Sequence, residues 1–352
     1  MKNGILKIVT AVLLLLTGSQ LAFMDPGAVF FKQRIPPGFP APVYDFKNNP
    51  VTKDGFELGK RLFYDGRIAG DGQTACASCH QQFAAFADFE HVFSHGALNR
   101  FTNRNAPPLF NLAWHKEFHA DGAINHIEWQ PLAPLTGHNE MNNTIEEVIG
   151  TLQNDITYKK MFKKAFGTET IESKHILYAL TQFTGSLVSA DSRYDRVKAG
   201  KDRFTEWEEQ GYRLFLSRCA ECHTEPLFTD LKYHNIGLPV DSFLNDYGRM
   251  VVTGEKEDSL KFKTPSLRNI TRTEPYMHDG RFWGLSTAIN HWQTLSLSDS
   301  TASSILRGGS VLDKQEIRYL VSFLYTLTDT TFLTDKRFAD PIPGNLIHAP
   351  FR

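Results

Sequence analysis

Residues 76–80 read Cys-Ala-Ser-Cys-His, and the same pattern returns once, as Cys-Ala-Glu-Cys-His at residues 219–223. In the pattern C-x-x-C-H, two thiols add to the vinyl groups of a c-type haem as thioethers, and the adjacent His is the proximal iron ligand. The chain has 4 Cys, and the two motifs contain all of them. The sequence therefore predicts two covalently bound haems, with thioethers at Cys76, Cys79, Cys219 and Cys222 and proximal ligands at His80 and His223.

Two other kinds of site contain Cys pairs at this spacing. Four thiolates could bind one zinc ion, and each pair could instead close a local disulfide. Neither kind of site requires a His directly after each pair, whereas haem attachment requires one at both places. The repeated His therefore favours haem over zinc and over disulfides.

Length and composition are those of a soluble globular protein. A chain of 352 residues is long enough to form two domains, each with its own core. The content of 41% hydrophobic and 22% charged residues is unlike that of disordered or multi-span membrane chains. The formal net charge of −1 lacks the basic excess of nucleic-acid-binding proteins, so no nucleic-acid partner is expected.

The N-terminus has the three parts of an export signal. Lys2 and Lys7 form a basic start, residues 8–16 are an apolar run, and residues 19–22 form a small-residue exit. An uncleaved anchor is the alternative, but the run is shorter than the roughly 20 residues that span a bilayer. Residues 1–22 are therefore predicted to be a signal peptide, which directs the mature protein out of the cytoplasm.

Apolar residues at helical spacing predict helices on both sides of each motif. One of them has a Thr at residue 205 and a Glu three positions later, the spacing of a capping box. The predicted helices span residues 55–64, 145–166, 173–189, 205–216 and 313–327. Because helix, motif, loop and helix follow one another in both halves, we predict a mostly α fold of two cytochrome c-like domains, each with one covalently bound c-type haem.

A polar segment at residues 191–202 is the predicted boundary between the halves. The N-terminal domain is predicted at residues 23–195, the C-terminal domain at residues 196–335, and a tail at residues 336–352. Pro and Gly are frequent between residues 25 and 45, which favours an extended lead-in over a helix or strand.

Further motifs resemble those of the bacterial di-haem cytochrome c peroxidase family, which includes MauG. They are RNAP at 104–107 followed by FN at 110–111, Gln130 with Pro134 and Glu140-Met141, SADS at 189–192, and TPSLRN at 264–269 leading to PYMHDG at 275–280. The resemblance covers most of residues 50–330. It implies that hydrogen peroxide reacts at the N-terminal haem and that electrons enter through the C-terminal haem. The export signal at residues 1–22 predicts a periplasmic location.

The resemblance implies that Glu140 is the distal acid–base of the peroxide site. Splitting the peroxide requires a nearby carboxylate that moves a proton from one oxygen to the other, so that water can leave. Gln130 would help to hold the peroxide or water. For Glu140 taken alone, a solvated carboxylate near a helix N-terminus is the alternative. The matched spacing from Gln130 through Pro134 to Glu140 favours the catalytic interpretation.

His95 resembles the distal His that, in other peroxidases of the family, covers the peroxidatic haem until the second haem is reduced. Its loop differs in length from theirs, and His91 is the competing position. If neither ligates iron, the first haem is permanently open, as it is in MauG.

Asn105 and the carbonyl oxygens of Thr273 and Pro275 match the positions that hold a calcium ion between the domains in the family. Amide and backbone oxygens suit this hard cation. An Asn that only caps the turn before Pro107 is the alternative. The resemblance thus implies calcium as a candidate third cofactor.

Trp292 departs from the family at the sixth ligand of the C-terminal haem, where the peroxidases have Met and MauG has Tyr. Indole has no free lone pair for iron. His291 and Met277 remain as candidates, and a Met ligand would give a higher reduction potential than a His ligand. We favour His291, although adjacent helix positions point about 100° apart.

Ala120 is the second departure, because it replaces the Trp that lies between the haems in the family motif Phe-Trp-Asp-Gly. Trp114 and Trp129 are nearby in sequence and are candidate substitutes. A packed aromatic side chain is the alternative role for both of them.

The leading hypothesis is an exported di-haem peroxidase that reduces hydrogen peroxide to water with electrons from a small cytochrome c or cupredoxin. One alternative is a MauG-like enzyme that uses peroxide to oxidise a Tyr or Trp of a partner protein. The other is a di-haem electron carrier without enzymatic activity. Dimers are common in the family, so the resemblance also implies a homodimer as a candidate assembly.

Overall fold

The computed structural model describes residues 35–293, 302–303 and 311–342. These residues are mostly helical, as predicted, and none of the described helices is both long and apolar enough to cross a membrane. The α-helices are α1 (Lys53–Tyr64), α2 (Cys76–Cys79), α3 (Leu132–Thr136), α4 (Ile145–Gln153), α5 (Ile156–Phe166), α6 (Ser173–Thr184), α7 (Arg193–Lys198), α8 (Glu206–Arg218), α9 (Met250–Thr253), α10 (Leu285–Gln293), α11 (Lys314–Tyr325) and α12 (Thr330–Thr334). The strands form two antiparallel pairs, β1 (His95–Gly96) with β2 (Arg100–Phe101) and β3 (Tyr233–His234) with β4 (Phe262–Lys263). The predicted signal peptide and the last residues of the predicted tail lie outside the described residues.

The single helix predicted at residues 145–166 is wrong, because the structure divides it into α4 and α5. Asn154 is the C-cap of α4. The next residue, Asp155, accepts hydrogen bonds from the backbone N–H groups of Thr157 at 2.7 Å and Tyr158 at 3.4 Å. A side chain that binds the first free N–H groups of a helix starts a new helix. The apolar spacing continues across the break and therefore concealed it.

The capping box predicted at Thr205 is confirmed. Its hydroxyl accepts from the Glu208 N–H at 3.4 Å, and the Glu208 carboxylate accepts from the Thr205 N–H at 2.7 Å. Two otherwise unpaired donors of the first turn are thereby satisfied. The box fixes the start of α8, which leads directly into the second motif.

Two hydrophobic clusters form the interior. The larger one is centred on α1, α5 and α6, and the smaller one on α8 and α11. After α11 the chain returns to the larger cluster, where Phe332 and Leu333 of α12 and Phe338 are packed. Phe338 belongs to the predicted tail, and this part of the tail therefore contributes to the first core. The domain boundaries themselves remain a prediction.

A helix pair in each half crosses at a glycine. A Cβ atom at Gly59 of α1 would overlap the Ala179 carbonyl of α6 and lie 3.1 Å from the Phe183 Cβ. A Cβ at Gly211 of α8 would overlap the Tyr319 carbonyl of α11. Both helix pairs therefore pack so closely that no side chain fits at the crossing point.

We expect Gly59→Ala to lower the free energy of unfolding by about 1–3 kcal/mol, because the methyl group must push two packed helices apart. Gly150→Ala is the matched control, since Gly150 lies in α4 and no atom lies within 4 Å of its added Cβ. Alanine there should stabilise the protein by about 0.5–1 kcal/mol through helix propensity. Urea unfolding monitored by circular dichroism checks both values, and equal effects at the two positions would contradict the close-crossing argument.

Buried polar side chains join the two halves behind the motifs. Asn111 donates to the Ser189 carbonyl at 3.1 Å, and Asn269 donates to the Ser189 hydroxyl at 2.9 Å. The carboxylate of Asp329 accepts from the Ser189 hydroxyl at 3.1 Å. Since buried polar groups must be paired to avoid a desolvation cost, this network fixes the relative position of the segments that it joins.

Candidate functional site

The first motif forms one helical turn, α2, with His80 directly after it as the C-cap. The His80 Nδ1 atom lies 2.7 Å from the Phe86 carbonyl oxygen, and the backbone of Pro107 also hydrogen-bonds the ring. The Ser78 hydroxyl accepts from the Ala75 N–H at 3.1 Å, which closes the turn from its N-terminal side. Local hydrogen bonds thus hold the orientation of the His80 ring.

The second motif repeats this arrangement in a different local setting. Cys219 is the C-cap of the long helix α8. The His223 Nδ1 atom lies 3.1 Å from the Phe228 carbonyl and 3.1 Å from the Pro265 carbonyl. Both motif His rings are therefore bonded through Nδ1 to a Phe carbonyl a few residues later, and both also bond the backbone of a later Pro.

These residues fit covalently bound haem. An imidazole whose Nδ1–H donates to a carbonyl presents Nε2 to a metal, and no hydrogen bond within the described residues uses Nε2 of His80 or His223. Burial lowers the pKa of both rings, which favours the neutral form that binds iron. The four Cys are free thiols, as thioether formation requires, and none forms a disulfide.

The zinc alternative does not fit the structure. Among the described residues, the one His, Cys or carboxylate group close enough for a metal ion is Cys222 with Asp230 and His234, whose ligand atoms lie within 4.8 Å of one another. This group contains one thiol, and the two Cys pairs do not meet. Burial also raises the pKa of Cys76 and Cys219 to about 12, which disfavours thiolate.

Glu140 lies beside the first motif. Its backbone carbonyl accepts from the Ala97 N–H at 2.6 Å, and the Sδ atom of the next residue, Met141, lies 3.9 Å from the Cys76 Sγ. Its negative charge also raises the pKa of Cys76 and Cys79. Burial raises the pKa of Glu140, and its carboxylate makes no hydrogen bond or ion pair within the described residues. It is therefore a half-buried, unpartnered acid–base group.

Helix α3 connects Gln130 to Glu140. The Gln130 carbonyl accepts from the Ala133 N–H at 3.3 Å, and the Pro134 carbonyl accepts from the Met141 N–H at 3.1 Å, so the chain folds back at the end of the helix. The side-chain amide of Gln130 makes no hydrogen bond within the described residues. The chain between Gln130 and Glu140 thus consists of α3 and a turn that folds back onto the end of this helix.

His95 and His91 lie side by side on the loop that contains β1. Their ring centroids are 5.2 Å apart, and both side chains are exposed. The His91 Nδ1 atom is 3.0 Å from the carboxylate of buried Asp88. The His95 ring instead packs against Phe101, with centroids 4.6 Å apart, and the His95 carbonyl contacts the Cys79 Sγ at 3.8 Å. His95 is therefore the one with direct contact to the first motif.

Two residues of the candidate calcium site, Asn105 and Pro275, lie close to one loop residue, Val92. The Asn105 amide nitrogen donates to the Val92 carbonyl at 3.3 Å, and a Cβ at Gly280 would lie 3.0 Å from the Val92 Cα and 3.2 Å from the Pro275 Cγ. Asn105 and Pro275 therefore both lie close to Val92. Within the described residues, the carbonyl oxygens of Thr273 and Pro275 accept no hydrogen bond, which leaves them suited to a hard cation.

The candidates for the sixth ligand of the second haem lie in different settings. His291, on α10, places its Nε2 3.3 Å from the Ile236 carbonyl and packs against Phe282 with ring centroids 5.2 Å apart. Met277 adopts a left-handed φ of 79°, which is uncommon for a side chain other than glycine. Trp292 is 37% exposed. His291 thus lies on helix α10, whereas Met277 lies in the loop that precedes this helix.

Lys263 lies beside Ala120, the residue at which the sequence departs from the family motif. The Ala120 carbonyl accepts from the Lys263 N–H at 2.7 Å, and the Lys263 Nζ donates to the Glu117 carbonyl at 2.7 Å. Burial lowers the pKa of Lys263 to about 8. Trp114 is buried, and its Nε1 donates to the Pro40 carbonyl at 2.8 Å, so it is a packed aromatic side chain. Trp129 is 59% exposed.

Sequence reasoning did not identify an ion network between the halves. Arg104 bonds to Asp121 at 2.6 Å and to both oxygens of Asp246, at 2.6 and 2.8 Å. A second pair, Asp230 and His234, lies 2.9 Å apart beside the second motif. The spacing of the second pair, four residues, is a weak sequence signal, whereas nothing in the sequence connects Arg104 to Asp246.

Known proteins are similar to this chain in sequence and in fold. The family model described as di-haem cytochrome c peroxidase matches residues 53–203. The methylamine utilization protein MauG of Methylorubrum extorquens is 33% identical over 86% of this chain and 85% of its own. The cytochrome c551 peroxidase of Nitrosomonas europaea is 31% identical over 79% of this chain and 81% of its own.

Among solved structures, the chain is similar to a MauG-like protein associated with microbial copper homeostasis. The TM-score is 0.78 at 32% identity, and the match covers 87% of this chain and 98% of the other. Sequence and fold thus agree over most of both chains, and the predicted resemblance is confirmed. The chain belongs to the di-haem cytochrome c peroxidase family, which includes the MauG proteins, and at the level of this family it is a peroxide-dependent oxidoreductase.

Proposed function

We propose that the protein is an exported di-haem peroxidase that reduces hydrogen peroxide to water with electrons from a small cytochrome c or cupredoxin. The observation that carries the proposal is the unpartnered Glu140 carboxylate beside a complete haem attachment motif. Cys76 and Cys79 would hold the haem that supplies the peroxide chemistry, and Cys219 and Cys222 would hold the haem that supplies the entry point for electrons. Each haem is held by two thioethers, and the two domains are cytochrome c-like.

The protein moves the protons that this reaction needs. The Glu140 carboxylate takes a proton from one peroxide oxygen and returns it to the other, so that the second oxygen leaves as water. The Gln130 amide can donate to one oxygen and accept from the other, which orients the peroxide. His95 covers this site in the resting protein and moves away when the second haem is reduced.

Two further assignments complete the proposal. Asn105, Thr273 and Pro275 hold a calcium ion with oxygen ligands, close to the loop that carries His91 and His95. His291 is the sixth ligand of the second haem, and Met277 is the alternative. The apolar run after Lys2 and Lys7 directs the chain to the periplasm.

A double substitution at each motif tests the route of the electrons. We expect Cys219→Ala with Cys222→Ala to abolish oxidation of the reduced donor cytochrome, because the haem that accepts its electrons is no longer attached. Cys76→Ala with Cys79→Ala should leave donor binding intact and abolish peroxide reduction. Haem content by absorbance, donor oxidation and peroxide consumption are measured on the same samples. Donor oxidation at the wild-type rate without the second haem would contradict the route.

A MauG-like activity is the second candidate, in which peroxide is used to oxidise a Tyr or Trp of a partner protein. It is favoured by the 33% identity to the Methylorubrum extorquens MauG protein and by Trp292, which cannot supply a Met sulfur to the second haem. Peroxide consumption without an added donor, coupled to covalent change in a partner protein, distinguishes it from the first candidate.

A further inference from the structure

A surface cleft of about 550 Å³ lies between the two halves of the chain, on the side of α3. Its volume is within the range of pockets that bind small molecules. The first half contributes most of the wall and α9 of the second half contributes Val252. The apolar side chains of the lining are Ala123, Ile124, Trp129, Leu132, Ala133 and Val252.

Trp129 gives the cleft its distinctive chemistry. Its side chain is 59% exposed, and it precedes Gln130 directly in the chain. An exposed indole at the wall of a cleft offers a flat face for stacking another ring. Trp114, the other Trp near this region in sequence, is buried and bonded to a backbone carbonyl and offers no such face.

The cleft also adjoins the peroxide site. Leu132, Ala133 and Thr136 of α3 line it, and Gly137 follows at the end of this helix. A Cβ at Gly137 would lie 3.4 Å from the Glu140 Cδ, so the carboxylate lies against the end of α3. One short helix therefore separates the ligand-sized cleft from the residue that we place at the peroxide.

The charge in the cleft favours a neutral ligand. Glu117 is the ionisable side chain of the lining, and its carboxylate accepts from the Tyr233 hydroxyl at 2.8 Å and from Arg249 at 3.3 Å. Burial opposes its ionisation, but these hydrogen bonds and the Arg249 charge keep the pKa of Glu117 below its usual value. The negative charge is thus already compensated by Arg249, and a ligand cation would gain little from it.

We propose that this cleft binds a small neutral phenol, whose ring stacks on Trp129, as an additional reducing substrate of the peroxide site. The proposal rests on the proposed function, because peroxide is its oxidant. Each phenol loses one electron, which passes through the indole toward the first motif, and its O–H proton leaves to water at the open mouth of the cleft. Two phenols supply two electrons, and hydrogen peroxide takes these electrons and two protons to form two waters.

Binding is tested first, without peroxide, by isothermal titration of the haem-loaded protein with 2-methoxyphenol. We expect Trp129→Ala to weaken binding by about tenfold, because the stacking face and its buried area are lost. Trp129→Phe retains a ring and should bind within about threefold of the wild type. Trp283→Ala is the matched control, since Trp283 is 47% exposed and does not line the cleft. Equal affinity in Trp129→Ala and the wild type, or an equal loss in Trp283→Ala, would overturn the proposal.

Oxidation is tested second, with peroxide and 2-methoxyphenol and no protein donor. Trp129→Ala should lose phenol oxidation by a much larger factor than oxidation of a reduced cytochrome c. If the wild type oxidises the cytochrome but neither binds nor oxidises the phenol, the cleft proposal fails and the proposed function stands. If the phenol binds at Trp129 but no donor supports peroxide reduction, the proposed function fails. The role of the phenol as a reducing substrate then fails as well, and only the binding site is supported.

Discussion

Glu140→Gln is expected to lower the rate of peroxide reduction by about 100- to 10,000-fold, the usual contribution of a positioned acid–base group. Gln keeps the size of the side chain but cannot accept and return a proton. The carboxylate has no hydrogen-bonding partner within the described residues, so its replacement should leave the fold and the attached haems unchanged. The measurement is steady-state peroxide consumption with a reduced small cytochrome, at matched haem content.

Glu146→Gln is the matched control, since Glu146 is an exposed carboxylate in the first turn of α4, a few residues further along the chain. It should retain full activity. A Glu140→Gln protein that turns over at the wild-type rate would refute the assignment, and an equal loss in Glu146→Gln would indicate a general electrostatic effect instead.

The pH dependence gives a second measure of Glu140. Burial raises its pKa above the ordinary value of 4.5. Because the carboxylate must be ionised to accept the peroxide proton, activity should fall as the pH is lowered through this raised pKa. The acid limb of the profile should therefore lie above pH 4.5 and should be missing in Glu140→Gln. An acid limb of unchanged position in the variant would assign it to another group.

Much of the fold could be predicted because its signals are local. The apolar periodicity of α1, α6, α8 and α11 and the capping box at Thr205 involve residues at most a few positions apart. The break between α4 and α5 was missed although its signal, Asp155, is equally local, because the apolar spacing runs through it. The return of α12 to the first core depends on contacts between distant segments, and periodicity carries no information about those.

The candidate site divides in the same way. The motifs predict the thioethers and the proximal ligands, because all the residues that bind one haem covalently or through iron lie within five consecutive positions. The exposure of Trp129 and the burial of Trp114 depend on which surfaces of the folded chain pack together. No local sequence pattern distinguishes the two residues. The ion pair of Arg104 with Asp246 joins positions more than a hundred residues apart, beyond the reach of any spacing rule.

Arg268→Met is expected to lower the free energy of unfolding by about 3–5 kcal/mol, the cost of breaking a buried ion pair from one side. The Arg268 side chain has no exposed surface. It binds Asp195 through both terminal nitrogens, at 2.8 and 2.7 Å, and donates to the Pro226 carbonyl at 2.8 Å through Nε. Met fills a similar volume but leaves the Asp195 carboxylate largely buried without its cation. Urea unfolding of the haem-loaded protein measures the loss.

A surface pair supplies the control. Arg213, 68% exposed, approaches Glu209 at 3.3 Å on α8. Arg213→Met should cost less than about 1 kcal/mol, because solvent screens an exposed pair. Asp195→Asn combined with Arg268→Met should be more stable than Arg268→Met alone, since the uncompensated charge is removed. If the surface and buried variants lose the same free energy, burial is not the cause.

Lowering the pH should reduce the difference in free energy of unfolding between the wild type and Arg268→Met. Burial alone would raise the pKa of Asp195, but the hydrogen bonds and charge of Arg268 hold it below 3.8. A carboxyl group with a lowered folded-state pKa stabilises the fold above its unfolded pKa, and this contribution disappears as the pH falls through the folded value. In the variant, the unpaired Asp195 carboxylate takes up a proton at a higher pH than in the wild type. Protonation removes the cost of its buried charge. The difference in free energy of unfolding between the wild type and Arg268→Met should therefore be largest near neutrality and shrink toward about pH 4. A difference that is constant with pH would assign the loss to packing of the Arg268 side chain against Phe39 and Phe228.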